Sequence, residues 1–369
     1  MGSEPPVRAG AVLDIDLGAI AENWRSLAAL AAPAECAAVV KADAYGLGME
    51  PVSKALAQAG CRIFFVASLD EGIALRRLHP QPIEIAVFNG PLPGTAREFP
   101  AFGLSPVLND PGQFEDWALV ASSKGALPAL FHLDTGMARL GFSLREFDAF
   151  IARGLSNSMP WRGFISHLAC ADDPGHPQND EQKQRFTAAR ARFPACTASL
   201  AASCGIFLGR DYHFDLVRPG AALYGVNPQS GNSNPMRPVA RLKARIVQVR
   251  EVDRGARVGY GAAHLMARPG RLAIAAVGYG DGWPRSMSPR GCARIGGKRV
   301  PVIGRISMDL STFDVSAVDP SLARPGAFID LLDEEYGVDR AAADAGTIGY
   351  EILTALGRRY HRIYRGFEG

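Results

Sequence analysis

Lys41 stands at the end of an apolar run, 37–40, in the stretch AVVKADAYGLG, and the chain turns at once into small polar residues and glycines. A lysine in that place is either a surface residue closing a strand or a desolvated amine. Burial disfavours the ammonium, and a neutral amine can attack a carbonyl to form an imine. Tyr45 and the glycines around it suit a backbone that turns tightly beside a ligand. Arg139, His167, Ser203 and Arg218 also fall at or just after the ends of short apolar runs.

Those runs are the elements that must position them. Eight read as buried strands: 36–40, 63–66, 83–87, 104–108, 129–133, 163–167, 197–201 and 214–217. Amphipathic stretches separate most of them, among them SLDEGIALRRL, in which Ser68 and Glu71 form a capping box. Strands alternating with helices predict a parallel α/β sheet, and eight units favour closure into a (β/α)8 TIM barrel. In such a barrel chemistry gathers at the C-terminal strand ends, so the five residues above are predicted to share one pocket.

The Pro/Asn/Ser-rich segment NPQSGNSNPMRP (227–238) reads as a linker. Beyond it, alternating strands dominate until TIGYEILTALGRRY, so the second domain is predicted to be mostly β. The division is drawn as 12–232 for the barrel and 233–369 for the C-terminal mostly-β domain, with an opening strand within 1–15 as a possible addition to the second.

The bulk numbers exclude several classes. A net charge of +3 over 369 residues is too weak to imply a nucleic-acid or anionic-membrane partner. No segment has membrane-spanning length, and MGSEPPVRAG lacks an apolar signal core, so a cytoplasmic protein is expected. The six cysteines form no CxxC pair and read as small buried hydrophobes. The seven histidines lack metal-ligand spacing, so no metal is expected. GYGDGWPR lacks the strand–GxGxxG–helix context of a dinucleotide site.

AVVKADAYGLG resembles the cofactor-lysine segment of alanine racemases, which depend on pyridoxal phosphate. Further matches follow in the family's order: DTGMARLGF, SHLACAD, FDLVRPGAALYG, VGYGAAH, VGYGDGWPR, GRISMDLSTFDV and TIGYEILTALGRR. They cover nearly the whole chain. The resemblance implies a barrel followed by a β domain, in a head-to-tail homodimer whose β domain completes the partner's active site. It implies interconversion of L- and D-alanine, supplying D-alanine for peptidoglycan. Inverting a carbon centre calls for a proton removed from one face and returned on the other, hence two bases. The resemblance makes these Lys41 and, from the partner subunit, Tyr260. It puts Arg218 at the pyridine nitrogen, with His167 contacting Arg218. It makes Tyr45, Ser203, Gly220, Ala221 and Tyr350 the phosphate set and puts Arg139 at the cofactor's phenolic oxygen and the substrate carboxylate. Met308 and Asp309 would hold that carboxylate from the partner side, and Tyr279 would narrow the entrance.

Two departures from the family stand out. The lysine that many members carry seven residues before the arginine of DTGMAR is here His132, and ASLAASCG has Ser199 and Ala202 where His and Asn are usual. The alternatives are a serine or broad-spectrum amino-acid racemase, and a pyridoxal-phosphate carrier without turnover.

Overall fold

The computed structural model describes residues 6–80, 83–125, 127–229 and 231–366. The first strand, β1 (Ala11–Asp16), leads into the helix Leu17–Ala31, where Asp16 caps the first turn by accepting the Ala19 N–H at 2.8 Å. The next strands are β2 (Glu35–Cys36), β3 (Ala38–Val39), β4 (Ile63–Val66), β5 (Glu84–Val87) and β6 (Ser105–Leu108). Then come β7 (Ala129–His132), β8 (Trp161–Ile165), β9 (Thr197–Ser199) and β10 (Leu216–Val217). Strands β3 to β9 form one parallel sheet in chain order. β10 pairs in parallel with β2, and the Asp215 and Arg218 N–H groups reach Ala198 O and Ala201 O at 3.0 Å, which joins β10 to β9 and closes the ring.

The first predicted barrel strand is therefore one extended segment whose partners change along its length. Its Glu35, Ala37 and Val39 N–H groups bond the β10 segment throughout, while β4 joins only from Ala38. Helices return the chain between most strands, and local sequence starts them. Ser143 and Glu146 cap the helix Leu144–Ala152 reciprocally, and Asp110 with Pro111 opens Pro111–Lys124. Between the strands and these helices, Phe131 stacks on Phe142 at 4.4 Å and on Phe164 at 5.7 Å. Burial of these rings fixes β7 and β8, and with them His132, Arg139 and His167.

The second unit holds β11 (Ala240–Val252), β12 (Arg257–Val258), β13 (His264–Leu265), β14 (Gly270–Ala275) and β15 (Cys292–Ile295). β16 (Lys298–Pro301), β17 (Ser311–Asp314), β18 (Phe328–Leu332) and β19 (His361–Arg365) complete it. Its sheet runs β16-β15-β18-β11-β1-β19, with β14 added on β11 and β17 on β14. β1 lies within this sheet, antiparallel to β11 and parallel to β19. The connecting segment around 227–238 is bonded in place: the Asn227 N–H donates to Asp339 Oδ2 and the Arg237 N–H to Asn23 Oδ1. The C-terminal helical pattern forms only the short helix Gly349–Ala355, which carries Tyr350.

Candidate active site

Lys41 leaves the barrel wall directly after Val40, whose N–H still bonds Phe65 O. The tight turn predicted from the glycines of KADAYGLG is present, with Gly46 at φ 80° and Gly48 at φ 101°, and it begins earlier than the glycines. Ala42, Asp43, Ala44 and Tyr45 all have φ of 53–55°, a left-handed turn of four non-glycine residues. Each such residue is sterically unfavourable, so the surrounding contacts must hold it. The Lys41 ammonium loses ground to burial first and to the Arg139 guanidinium second, with Glu71 opposing both, and the net shift favours the neutral amine.

Arg218 is almost fully enclosed, and no carboxylate meets it among the described residues. One guanidinium nitrogen donates to Ser166 O at 2.6 Å and another to Ser199 Oγ. Ser199 Oγ donates in turn to Leu216 O, which turns its lone pairs toward Arg218. The departure in ASLAASCG thus supplies its own acceptor. Burial lowers the Arg218 pKa to about 10, which leaves the side chain cationic at neutral pH. The hydrogen bond expected between His167 and Arg218 is absent among the described residues; two of the five guanidinium N–H groups go to Ser166 O and Ser199 Oγ instead. His167 is instead pushed down to about 3, by burial first and then by Arg218, Arg139, His132 and Lys41. A neutral imidazole among cations results.

His132 is likewise lowered to about 3, chiefly by burial and then by Arg218. Its Nδ1 sits 2.8 Å from Asn109 Oδ1. Asn109 Nδ2 already donates to Phe88 O and Val107 O, so its oxygen must accept, and the hydrogen of neutral His132 lies on Nδ1. Nε2 is left as an acceptor. A cavity of about 10 Å³, the room one water needs, is lined by His132, Asp134, Arg139, Ser166 and His167. Asp134 shapes this wall: its carboxylate accepts the Gly136, Met137 and Ala138 N–H groups at 2.8–2.9 Å and folds the loop that delivers Arg139.

On the adjoining side, Ser203 Oγ accepts N–H groups from Gly220 at 3.0 Å and Ala222 at 3.2 Å. No side chain fits at Gly220, where a Cβ would lie 2.3 Å from Tyr45 Oη. Tyr45 stands 6.1 Å, ring to ring, from Tyr350, and the Tyr350 hydroxyl meets Cys204. Burial raises both phenols, so they remain donors. A serine hydroxyl, the 220–222 backbone and two protonated phenols gather here, neutral donors of the kind that suits a phosphate. Ala221 lies within that backbone.

Tyr260, Tyr279, Met308 and Asp309 form a second group, on the β unit. The Tyr279 and Gly280 N–H groups bond Ser307 O and Met308 O, and a Cβ on Gly278 would strike the same strip of backbone. Gly259, beside Tyr260, packs on Arg305. Tyr260, Tyr279 and Met308 are 71%, 43% and 55% exposed. The Asp309 carboxylate is held by Arg359, which also grips Asp281, so among the described residues Asp309 has only its backbone N–H free for an anion. No hydrogen bond or ion pair links this group to the Lys41 group among the described residues.

The model of the alanine racemase N-terminal domain matches residues 15–228, and that of the C-terminal domain matches 239–364. The chain is 50% identical over 370 residues to an alanine racemase of Rhodospirillum rubrum, covering 99% of this chain and 98% of that protein. This chain belongs to the alanine racemase family. A catabolic alanine racemase of Mesorhizobium japonicum is 47% identical, over 97% of this chain and 94% of its own. The crystal structure of alanine racemase from Bartonella henselae with covalently bound pyridoxal phosphate superposes with a TM-score of 0.93 at 40% identity. The match covers 97% of this chain and 100% of that one. A biosynthetic alanine racemase of Pseudomonas aeruginosa matches at 0.89 and 34%, over 97% and 99%.

Sequence reasoning missed several residues of these two groups. Asn109 ends β6 as the other site residues end their strands, and that position alone was a usable signal. Glu71 was hidden behind its helix-capping role. Arg359 gave no signal, since its tie to Asp281 and Asp309 spans distant segments.

Proposed function

We propose that the chain interconverts L- and D-alanine with pyridoxal phosphate, as a homodimer whose two chains share each active site. The observation that carries this reading is one barrel mouth combining Lys41, an amine biased toward neutrality, with neutral donors suited to a phosphate at Ser203, Gly220, Ala221, Tyr45 and Tyr350. Lys41 is the covalent anchor. When bound there, pyridoxal phosphate supplies an electron sink for the pair left on the α-carbon. Arg218, cationic and paired only to neutral acceptors among the described residues, keeps its protons and would donate at the pyridine nitrogen. His167 lies beside it as a neutral ring.

The residues divide the remaining work by face. Lys41, once released, exchanges a proton at the α-carbon from one side, and Tyr260 of the partner subunit does so from the other. Arg139 takes the substrate carboxylate, with His132 Nε2 as an acceptor across the shared cavity. The backbone N–H groups of Met308 and Asp309 meet that carboxylate from the partner side, and Tyr279 narrows the entrance. The exposure of Tyr260, Tyr279 and Met308 supports their reaching another chain. The working domain boundary is 12–232 and 233–369, with β1 added to the second unit.

Chiral chromatography of L-alanine incubated with the protein and pyridoxal phosphate tests the reading. Approach to equal enantiomers, lost in Lys41→Ala, is expected; unchanged L-alanine with cofactor bound would overturn it. The reading includes D-alanine supply for peptidoglycan. A reversible reaction serves breakdown equally, so restored growth of a D-alanine auxotroph tests that part.

A further inference from the structure

We propose that Glu71 is a positioning residue, whose carboxylate clamps the left-handed turn behind Lys41 to the end of the neighbouring barrel strand and so aims the lysine into the mouth. The inference rests on the reading of Lys41 as the cofactor's anchor. It begins from the four unfavourable residues, Ala42 to Tyr45, that follow Lys41 directly. The far end of that turn is well held. The Asp43 carboxylate accepts the Met49 N–H at 2.7 Å, Arg362 donates to Gly46 O at 2.7 Å, and the Tyr364 hydroxyl donates to Leu47 O at 3.1 Å.

The near end has one side chain to hold it among the described residues. Glu71 Oε1 accepts the Ala42 N–H at 2.7 Å, while Oε2 accepts the N–H groups of Ala67 at 2.8 Å and Ser68 at 3.3 Å. Ala67 and Ser68 follow β4 directly, so the carboxylate bridges two adjacent strand ends at the mouth. Helix capping accounts only for the Ser68 bond, the longest of the three. The two short bonds serve something else. Charge-assisted bonds from a carboxylate to backbone N–H groups are among the stronger neutral-pH contacts available. Glu71 is itself anchored, because its own N–H donates to Ser68 Oγ at 3.3 Å in the first turn of the helix Leu69–Leu78. Its charge also opposes the burial and the Arg139 guanidinium that favour the neutral lysine.

The test uses the full-length protein in three forms: wild type, Glu71→Gln and Glu71→Asp. Amide hydrogen exchange is read at Ala42 and Ala67, with the amides of β11 as the check that each variant is folded. The second readout is the pH dependence of covalent capture of added pyridoxal phosphate at Lys41 after bound cofactor is stripped. Capture is followed by absorbance and located by borohydride reduction and mass spectrometry. In Glu71→Gln, exchange at Ala42 and capture at neutral pH are each expected to change about tenfold, faster and slower respectively. The capture midpoint is expected to move to lower pH. Glu71→Asp, with its charge kept but its reach shortened, is expected to lose the Ala42 protection and keep the midpoint. Unchanged Ala42 protection, or an unmoved midpoint in a folded Glu71→Gln, would overturn the proposal. Failure of wild-type Lys41 to capture the cofactor would instead strike the functional reading, since Ala42 exchange does not depend on it.

Discussion

The barrel mouth and the β-unit face are built on opposite plans. At the mouth, Arg218 is enclosed, His132 and His167 are forced neutral, and named partners aim the Arg218 guanidinium and His132 Nδ1. On the β unit, Tyr260, Tyr279 and Met308 stand in the open, and only their backbone is fixed. Enclosure biases Lys41 toward its neutral form and lowers the Arg218 pKa. Exposure suits residues that act on something outside their own chain. Under the proposed reading, the first region makes a site and the second contributes to the partner's.

The comparison breaks most visibly in activity. Lys41→Ala is expected to lower racemisation at least about a thousandfold, and Tyr260→Phe by roughly a hundredfold or more, measured by chiral chromatography. Were the mouth self-sufficient, Tyr260→Phe would be nearly silent. Stability should separate the regions in the opposite sense. Arg218→Ala leaves Ser166 O and Ser199 Oγ without their buried donor and should cost about 1–3 kcal/mol in urea denaturation. Tyr260→Phe should leave the midpoint unchanged.

Acid should weaken the mouth in particular. His132 and His167 have folded-state pKa values near 3, against an ordinary 6.5, so their neutral forms belong to the folded chain. Their contribution is complete above pH 6.5. It is lost as pH falls toward 3, because the unfolded chain takes up protons that the folded rings refuse. The slope is at most about 1.4 kcal/mol per pH unit for each ring, less where solvent reaches it. Urea midpoints between pH 7 and 4 should fall, and should fall less in His132→Gln or His167→Gln. The smallest effect is expected at Asp309→Asn, whose exposed pair with Arg359 should leave the melting temperature unchanged.

How much of this was legible in the sequence differs between the same two regions. Period and apolar run length exposed the barrel strands, and the rule that chemistry sits at strand ends picked out Lys41, Arg139, His167, Ser203 and Arg218. Partnerships were not legible. The tautomer of His132 depends on Asn109, which has its own donors committed to Phe88 and Val107. Ser199 looked like a loss beside the family pattern, yet it is the acceptor for Arg218. The left-handed run at Ala42 to Tyr45 contradicts local preference, and tertiary contacts sustain it. On the β unit only motif resemblance marked Tyr260, because one exposed tyrosine has no spacing that declares its use.

The most direct measurement of the shared site mixes two dead variants. Lys41→Ala and Tyr260→Phe chains, co-expressed and purified together, can form a mixed dimer in which one site holds both Lys41 and Tyr260. Random pairing predicts recovery of about a quarter of wild-type racemisation. If the mixed dimer is shown by mass spectrometry to be present and remains as inactive as either parent, Lys41 and Tyr260 do not serve one site from two chains.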